Sequence, residues 1–313
     1  MNAKSLLLGL TAVLLPAMSA WTQYSSPEAI HGAIGPVESL SPELRRAFTP
    51  NDDFKPLPKP GENDWLAIHP EPGQTYRQFV RAKPNKAAPP REVIYLQPLD
   101  SFTERDPKSL LTLRAFTRHF FRLPVTMQRP VDVSRVGIAE RKNPFTEQRQ
   151  LLTPDILDYL RRDIPPDGYC RLAITNIDLY PEPAWNFVFG QASLSEGTGV
   201  FSFARYDPSF YGERPDAALA RLRSFKVLAH ETGHMFGIEH CVYLLCIMNG
   251  SNTMEETDAS PVHLCPVCLR KLQHSVGFDI AQRYRALATF YRQAGLVEES
   301  AWVTERAAYV SGP

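Results

Sequence analysis

The middle of the chain alternates between short apolar runs and longer amphipathic stretches. Residues 92–97 form an apolar run enclosed by Pro90 and Pro98, and residues 169–178 have the composition of a strand buried on both faces. Short apolar runs bounded by proline or polar residues are typical of strands inside a sheet. We therefore predict strands over both runs, and a further strand between them at residues 124–133.

The stretches that separate these strands have the apolar spacing of helices. Residues 107–121 begin with proline, which is favoured at the first helical position, and residues 153–162 begin with Thr-Pro. The order strand, helix, strand, helix, strand predicts parallel pairing with right-handed crossovers. Between the second strand and the second helix, the polar residues 139–150 are expected to form a loop or a hairpin.

Two more strands and several helices are predicted after this parallel unit. Residues 187–194 and 199–205 flank a turn that contains glycine, which predicts a pair of strands. Residues 222–229 have the periodicity of a helix, and residues 279–293 and 298–310 are predicted as terminal helices, the last one loosely attached. The expected fold class is α/β (α+β), with a twisted mixed sheet and a C-terminal helical part.

Composition narrows the possible functions and suggests a domain organisation. The chain has 313 residues, 34 basic and 34 acidic side chains, and no basic block, so we expect no nucleic-acid partner. Twelve of its 28 prolines lie within residues 27–90, and we interpret this Pro-rich stretch as an irregular arm over the catalytic part. The expected organisation is a Pro-rich arm (21–90), a catalytic domain (91–295) and a helical tail (296–313), preceded by a separate segment (1–20).

The first twenty residues have the pattern of a secretory signal peptide. A short basic start precedes an apolar run that ends at Pro16, and Ala17-Met18-Ser19 offers small residues at a cleavage site. The run is short for a bilayer span. A cleaved signal predicts a secreted or periplasmic protein without a stable membrane span. The alternatives are an uncleaved anchor or an apolar N-terminal helix, and with the latter a cytoplasmic location.

The most informative stretch is an extended HExxHxxGxxH motif. His230 and His234 lie four residues apart on the predicted helix, so both imidazoles can face one metal ion. Glu231 projects beside the ion, from where it can accept a proton from an activated water molecule. Gly237 can end the helix, and the returning chain can supply His240 as a third ligand. Three protein ligands are typical of a catalytic zinc ion.

Four cysteines follow the motif in two closely spaced pairs. Cys241 and Cys246 form the first pair, and Cys265 and Cys268 form a CxxC about twenty residues later. Two disulfides are one alternative in an oxidising compartment, but these spacings favour four thiolates around one structural zinc ion. The remaining Cys170 lies in a predicted buried strand, where we expect a small core side chain.

Together these residues resemble the archaemetzincin family of zinc metallopeptidases. The family's motif is HExxHxxGxxHC followed by a second cysteine, a methionine and a CxxC, and all of these elements are present. Residues 64–70, 185–192 and 200–206 also resemble segments of the animal archaemetzincin-2 type. The resemblance covers roughly residues 60–290. It implies a metzincin-like catalytic domain built around an active-site helix.

The resemblance also implies roles for individual elements. Met248 is expected to form the Met-turn, an apolar floor beneath the metal. One of the two strands at 187–194 and 199–205 is expected to receive the substrate backbone as an added strand. The alternative is a hairpin that only packs on the sheet. Outside the motif, His69 is expected to be structural, and His263 and His274 to be surface residues.

The sequence therefore predicts a zinc metallopeptidase with two zinc ions, one catalytic and one structural. Glu231 is expected to take a proton from water and pass it to the leaving amine. The expected substrates are small peptides or peptide N-termini, and the expected oligomeric state is a monomer. The alternative is a zinc-stabilised peptide-binding or regulatory protein with little turnover.

Overall fold

The regular elements of the chain are short strands and helices, placed by the computed structural model over residues 22–100 and 107–312. The predicted signal segment, residues 1–20, lies outside the described residues. The strands are β1 (Val93–Pro98), β2 (Val125–Met127), β3 (Glu140–Lys142), β4 (Arg149–Leu152), β5 (Gly168–Thr175), β6 (Asp178–Tyr180), β7 (Gly190–Ala192) and β8 (Thr198–Ser202). The helices are α1 (Thr22–Ser25), α2 (Pro27–Ile34), α3 (Pro42–Phe48), α4 (Trp65–Ile68), α5 (Tyr76–Arg81), α6 (Pro107–Phe121), α7 (Thr153–Arg162), α8 (Ala217–Met235), α9 (Met254–Ala259), α10 (Pro266–Val276), α11 (Ile280–Gln293) and α12 (Val297–Ser311), with 3-10 turns at Val133–Arg135 and Pro208–Tyr211.

The main sheet has five strands in the order β2-β1-β5-β8-β7. The first four strands are parallel, and β7 pairs antiparallel with β8 at one edge. The predicted parallel pairing and the mixed sheet are therefore confirmed. Every residue of β5 and β8 is buried, because helices cover both faces of the sheet.

One sequence prediction in this region needs adjustment, and another is confirmed. The strand expected at 124–133 is too long, since β2 covers only Val125–Met127 and a 3-10 turn begins at Val133. Pro130 interrupts the stretch, and proline has no N–H to donate to a neighbouring strand. The hairpin predicted at 139–150 is present as β3 and β4, and it joins β6 in a separate three-stranded sheet.

Helix α8 crosses the main sheet and contacts its last two strands. The helix packs on β7, β8 and α6, where the rings of Phe116 and Phe225 stack with centroids 4.5 Å apart. On the opposite face α7 buries Ile156 and Leu160. The sheet and α6 therefore hold α8 in a fixed position from which its C-terminal turn can carry functional side chains.

The last helix is firmly packed, so the prediction of a loosely attached appendage is wrong. Arg306 on α12 is fully buried, and its guanidinium donates to the carbonyls of Arg46 and Ala47 on α3. In return, Arg46 donates to the carbonyls of Val310 and Ser311. The N-terminal arm and the C-terminal helix therefore cap each other's backbone groups.

The prediction that His263 and His274 are surface residues is also wrong. The ring of His263 stacks on Trp302 of α12 with centroids 3.6 Å apart, and burial lowers its pKa to about 3. His274 Nδ1 lies 3.1 Å from the hydroxyl of Tyr76. His274 thus joins the arm to α10, and His263 joins the terminal helix to the segment just before α10. Among the described residues, the chain has no helix with the length and hydrophobicity that a bilayer crossing requires.

Candidate metal centre

The end of α8 places three residues of the motif at the floor of a cleft. His230, Glu231 and His234 lie in the last two turns, and the helix ends at Met235. Gly237 follows with φ 78°, a left-handed conformation that glycine adopts without strain. The predicted helix stop is therefore confirmed, and the chain turns back toward the helix at His240.

The three histidines converge on one point. Each offers a ring nitrogen within 4.8 Å of the others, and Nε2 of His230 lies 3.0 Å from Nε2 of His234. The opposite nitrogens are used elsewhere: His230 Nδ1 donates to the carbonyl of Ile247 at 2.9 Å, and His234 Nδ1 to that of Ile238 at 2.7 Å. A carbonyl accepts only, so both rings carry their proton on Nδ1. The two Nε2 lone pairs therefore face each other, an arrangement that a bound cation would stabilise.

The protonation states of these rings also suit a metal ion. Burial lowers the pKa of His230 to about 3 and lowers that of His234 well below its ordinary value. Both imidazoles are consequently neutral at pH 7, which is the form that binds metals. The donor set of three imidazoles fits zinc.

Glu71 completes the surroundings of His240, and sequence reasoning missed it. Its two carboxylate oxygens lie 2.8 and 3.1 Å from His240 Nδ1, and Oε1 also accepts from Trp65 Nε1 at 2.8 Å. Burial raises the pKa of Glu71, but the hydrogen bond and charge of His240 oppose this and leave the pKa below its ordinary value. A carboxylate behind a histidine ligand fixes its tautomer and makes the ring a better ligand. The nearest sequence signal is the family-like segment 64–70 beside it.

Glu231 lies beside the histidines and against the edge strand. The residue is 5% exposed, and within the described part of the chain its Oε2 has no hydrogen-bond partner. Burial raises its pKa to about 8. A Cβ at Gly190 of β7 would lie 2.5 Å from Glu231 Oε1, so only glycine leaves room for this carboxylate. A cation nearby would favour the ionised form of the carboxylate.

The four cysteines of the two pairs also come together. Their sulfurs lie within 4.8 Å of one another, all four side chains are buried, and all are free thiols. Cys241 Sγ and Cys265 Sγ are 3.6 Å apart. A disulfide requires about 2.05 Å, whereas Zn–S bonds of about 2.3 Å in a tetrahedron separate sulfurs by about 3.8 Å. The cluster fits a zinc ion. Cys170 is buried in β5 away from it, as predicted.

The segment between the two clusters links them through its backbone. Met248 is fully buried, its carbonyl accepts from the N–H of Cys241 at 2.8 Å, and a Cβ on Gly233 would lie 2.5 Å from its sulfur. Asn249, which sequence reasoning did not single out, accepts from the N–H of Cys246 and donates to the carbonyl of Cys241. The turn at Met248 is thus held against α8 and the cysteine cluster together.

A cleft of about 590 Å³ lies over the histidines. One wall is β7 and the loop before it, including Trp185 and Gly190, and the other contains Ile247 and Ser251. Within the described ranges, β7 has a strand neighbour in the main sheet on one side only, so its other backbone edge is available to a ligand. A smaller cavity of about 270 Å³ continues beyond His240.

An aromatic stack closes the cleft where the arm meets the loop before β7. The ring of His69 lies 4.3 Å from Trp65 and 5.6 Å from Trp185, measured between centroids. Trp65 also meets the edge of His240 at 5.1 Å. His69 thus joins two elements that line the cleft, which agrees with a structural role.

Comparison with known proteins is decisive for the family. Archaemetzincin-2 of Rattus norvegicus is 39% identical over 275 residues, which span 78% of this chain and 77% of the relative. The chain belongs to the archaemetzincin family. Archaemetzincin-2 of Mus musculus is 38% identical over 275 residues, with 78% of this chain and 77% of the relative covered. The model of peptidase family M54 matches residues 154–274, which include α8 and both clusters.

A solved structure of the family is also similar to part of the chain. The archaemetzincin of Archaeoglobus fulgidus, solved as a complex with malonate, has 31% sequence identity and a TM-score of 0.45. The similarity covers 57% of this chain and 99% of the archaeal one. Membership in the archaemetzincin family makes the protein a zinc metallopeptidase, as the sequence predicted.

Proposed function

We propose that the protein hydrolyses small peptides, or the N-terminal bonds of peptides, with Glu231 as the base that activates water. The proposal rests on one observation: three imidazoles and one buried carboxylate lie together beneath the free edge of β7. The alternative, a peptide-binding protein with little turnover, does not require a carboxylate at this position.

The donor sets support one zinc ion in each cluster, two in total. His230, His234 and His240 would hold the catalytic ion, and the structural ion would bind to Cys241, Cys246, Cys265 and Cys268. A zinc ion bound by three imidazoles supplies a Lewis acid that polarises a carbonyl and lowers the pKa of water to about 7.

The remaining steps belong to side chains of the chain itself. Glu231 accepts a proton from the attacking water and then donates it to the amine that leaves. Gly190 keeps space for the carboxylate, and Glu71 keeps His240 in the tautomer that presents Nε2. The water attack consumes one water molecule and yields a carboxylic acid and an amine.

The dimensions and charges of the cleft support a short substrate. Strand β7 is only three residues long, so it pairs with few substrate residues. The smaller cavity beyond His240 is lined by Glu71 and by the exposed Glu239. Two carboxylates near one end would attract the ammonium group of a peptide N-terminus.

The test replaces Glu231 with glutamine in the zinc-loaded protein. E231Q should retain both zinc ions and the thermal stability of the wild type, but lose hydrolysis by about 10²–10⁴-fold because the base is absent. Metal content, melting and peptide turnover are measured side by side. Undiminished turnover in E231Q would contradict the role of the base, and absence of turnover in the wild type would favour the binding protein.

A second comparison tests the preference for N-termini. Pairs of short peptides that differ only in N-terminal acetylation are assayed with the wild type and with E239Q. A free N-terminus should lower KM for the wild type, and E239Q should reduce that difference. Equal kinetic constants for both members of each pair would exclude recognition of the N-terminus.

A further inference from the structure

A lysine lies in the wall of the cleft at the end formed by α8 and α9. Lys226 lines the cleft together with Thr257, Ser260 and Pro261. It precedes His230 by four residues on α8, so both side chains lie on the same face, about 6 Å apart along the helix axis. The ammonium therefore lies close to the metal centre without being one of its ligands.

The neighbouring polar groups are already bonded to each other. Asn249 Oδ1 accepts from Cys246 N at 2.7 Å and from Ser260 Oγ at 3.3 Å. The hydroxyls of Ser251 and Thr257 lie 2.9 Å apart and bond to each other. These side chains have little capacity left for a ligand.

Lys226, in contrast, has a donor left for a ligand. Its Nζ donates to the carbonyls of Thr257 and Asp258 at 3.0 and 2.9 Å. An ammonium has three donors, so within the described residues one N–H remains for a group in the cleft. The side chain is only 7% exposed, which restricts its contact with bulk water. An acceptor that reached it would form a charge-assisted hydrogen bond in a poorly hydrated place.

Among the residues that the structure describes, no carboxylate neutralises the ammonium from inside this end of the cleft. The carboxylate of Asp258 is held by the guanidinium of Arg223 at 2.6 and 3.0 Å, and Asp258 does not line the cleft. The acidic residues that line the cleft are Glu231, beside the histidines, and the exposed Glu182 in the loop before β7. Burial lowers the pKa of Lys226, and the nearby Asp258 opposes this effect.

We propose that Lys226 selects substrates that place a carboxylate at this end of the cleft, about one helical turn from the scissile bond. The inference rests on the proposed peptidase function and specifies its substrate class. An Asp or Glu side chain and a C-terminal carboxylate offer the same chemistry to the ammonium. A basic substrate side chain at this end would bring two like charges together and is disfavoured.

Two matched pairs of peptides test the charge at this end. The first pair differs only in an internal Glu or Gln next to the scissile bond and has amidated C-termini. The second pair is a neutral peptide with a free or an amidated C-terminus. The zinc-loaded wild type should have a kcat/KM about tenfold or more higher for the carboxylate member of at least one pair. The pair that responds identifies the source of the carboxylate.

Variants of Lys226 connect this preference with the side chain. K226Q should bring the ratio of kcat/KM within the responding pair close to one, whereas K226R should keep a preference. K142Q removes an exposed lysine on β3 and should keep the wild-type ratio. If K226Q lowered kcat/KM equally for both peptides of the responding pair, the proposal would be overturned. Lys226 would then only cap the carbonyls of α9.

The wild-type ratios remain informative even where K226Q yields no folded protein. Ratios near one in both pairs, with neutral peptides hydrolysed, would overturn the selection of carboxylates and leave the peptidase function intact. Failure to hydrolyse any of the four peptides would instead overturn the proposed function, and the inference with it.

Discussion

The ring of His240 is held by the carboxylate of Glu71 at 2.8 Å, although 169 residues separate them in the chain. Histidines 230 and 234 bond through Nδ1 to backbone carbonyls within a short stretch of the same segment. The third histidine of the motif therefore depends on the N-terminal arm for its orientation. The arm contributes directly to the metal centre, because Trp65 in turn fixes Glu71.

Replacement of Glu71 by glutamine should weaken zinc binding at the histidines by about 10–100-fold. The reason is that a neutral amide replaces the charged carboxylate that accepts the hydrogen bond from His240. Competition with a chelator measures the affinity. The control is E62Q, which removes an exposed carboxylate of the same arm. Equal zinc affinity in E71Q and the control would show that His240 is oriented without the arm.

The substitution Cys265→Ser should remove the zinc ion proposed for the cysteine cluster and lower Tm by several degrees, since each kcal/mol corresponds to roughly 2–4 °C in domains of 150–250 residues. Hydrolysis should also decrease, because the turn at Met248 loses its anchor. Elemental analysis and melting curves provide the measurements. C170A alters a buried thiol outside the cluster and should keep the full zinc content. Unchanged zinc in C265S would exclude the thiolate site.

The substitution Gly190→Ala should leave zinc content intact but reduce kcat by about 10²-fold, since a new methyl group displaces the carboxylate of Glu231 and a small misplacement has this effect. The Cβ would lie 2.5 Å from Glu231 Oε1. G32A is the matched control, because a Cβ at Gly32 on α2 has no neighbour within 4 Å. A wild-type kcat in G190A would show that Glu231 can move away from the new methyl group without loss of activity.

The substitution Arg306→Met should destabilise the protein by about 2–4 kcal/mol, because several buried carbonyls of the arm lose a charged donor. Denaturant unfolding gives the free energy, and activity per folded molecule should remain because α12 lies away from the cleft. R292M on α11 removes an exposed arginine and should change stability little. A stability loss no larger in R306M than in R292M would mean that the arm is held by other contacts.

The sequence was sufficient for features that depend on residues near one another in the chain. The helix face shared by His230 and His234 and the stop at Gly237 follow from local spacing. The strand predicted over residues 169–178 follows from local composition, although β5 itself covers Gly168–Thr175. The contacts of Glu71 and Lys226 could not be predicted from local spacing. The partner of Glu71 is distant in the chain, and the partner of Lys226 is a backbone carbonyl that any residue could supply. The packing of α12 escaped prediction for the same reason, since its partners are carbonyls of α3.

The linkage between the cysteine cluster and the histidines has a consequence for biosynthesis. A growing chain that has reached His240 still lacks Cys265 and Cys268. The cysteine cluster that anchors the loop with the third histidine is therefore incomplete at that stage. Translation must pass α10 before that loop is tied down, and α12 must follow before the arm that carries Glu71 is capped. The loop with the third histidine is therefore held in place only after residues 265–276 have been translated, later than the histidine motif itself.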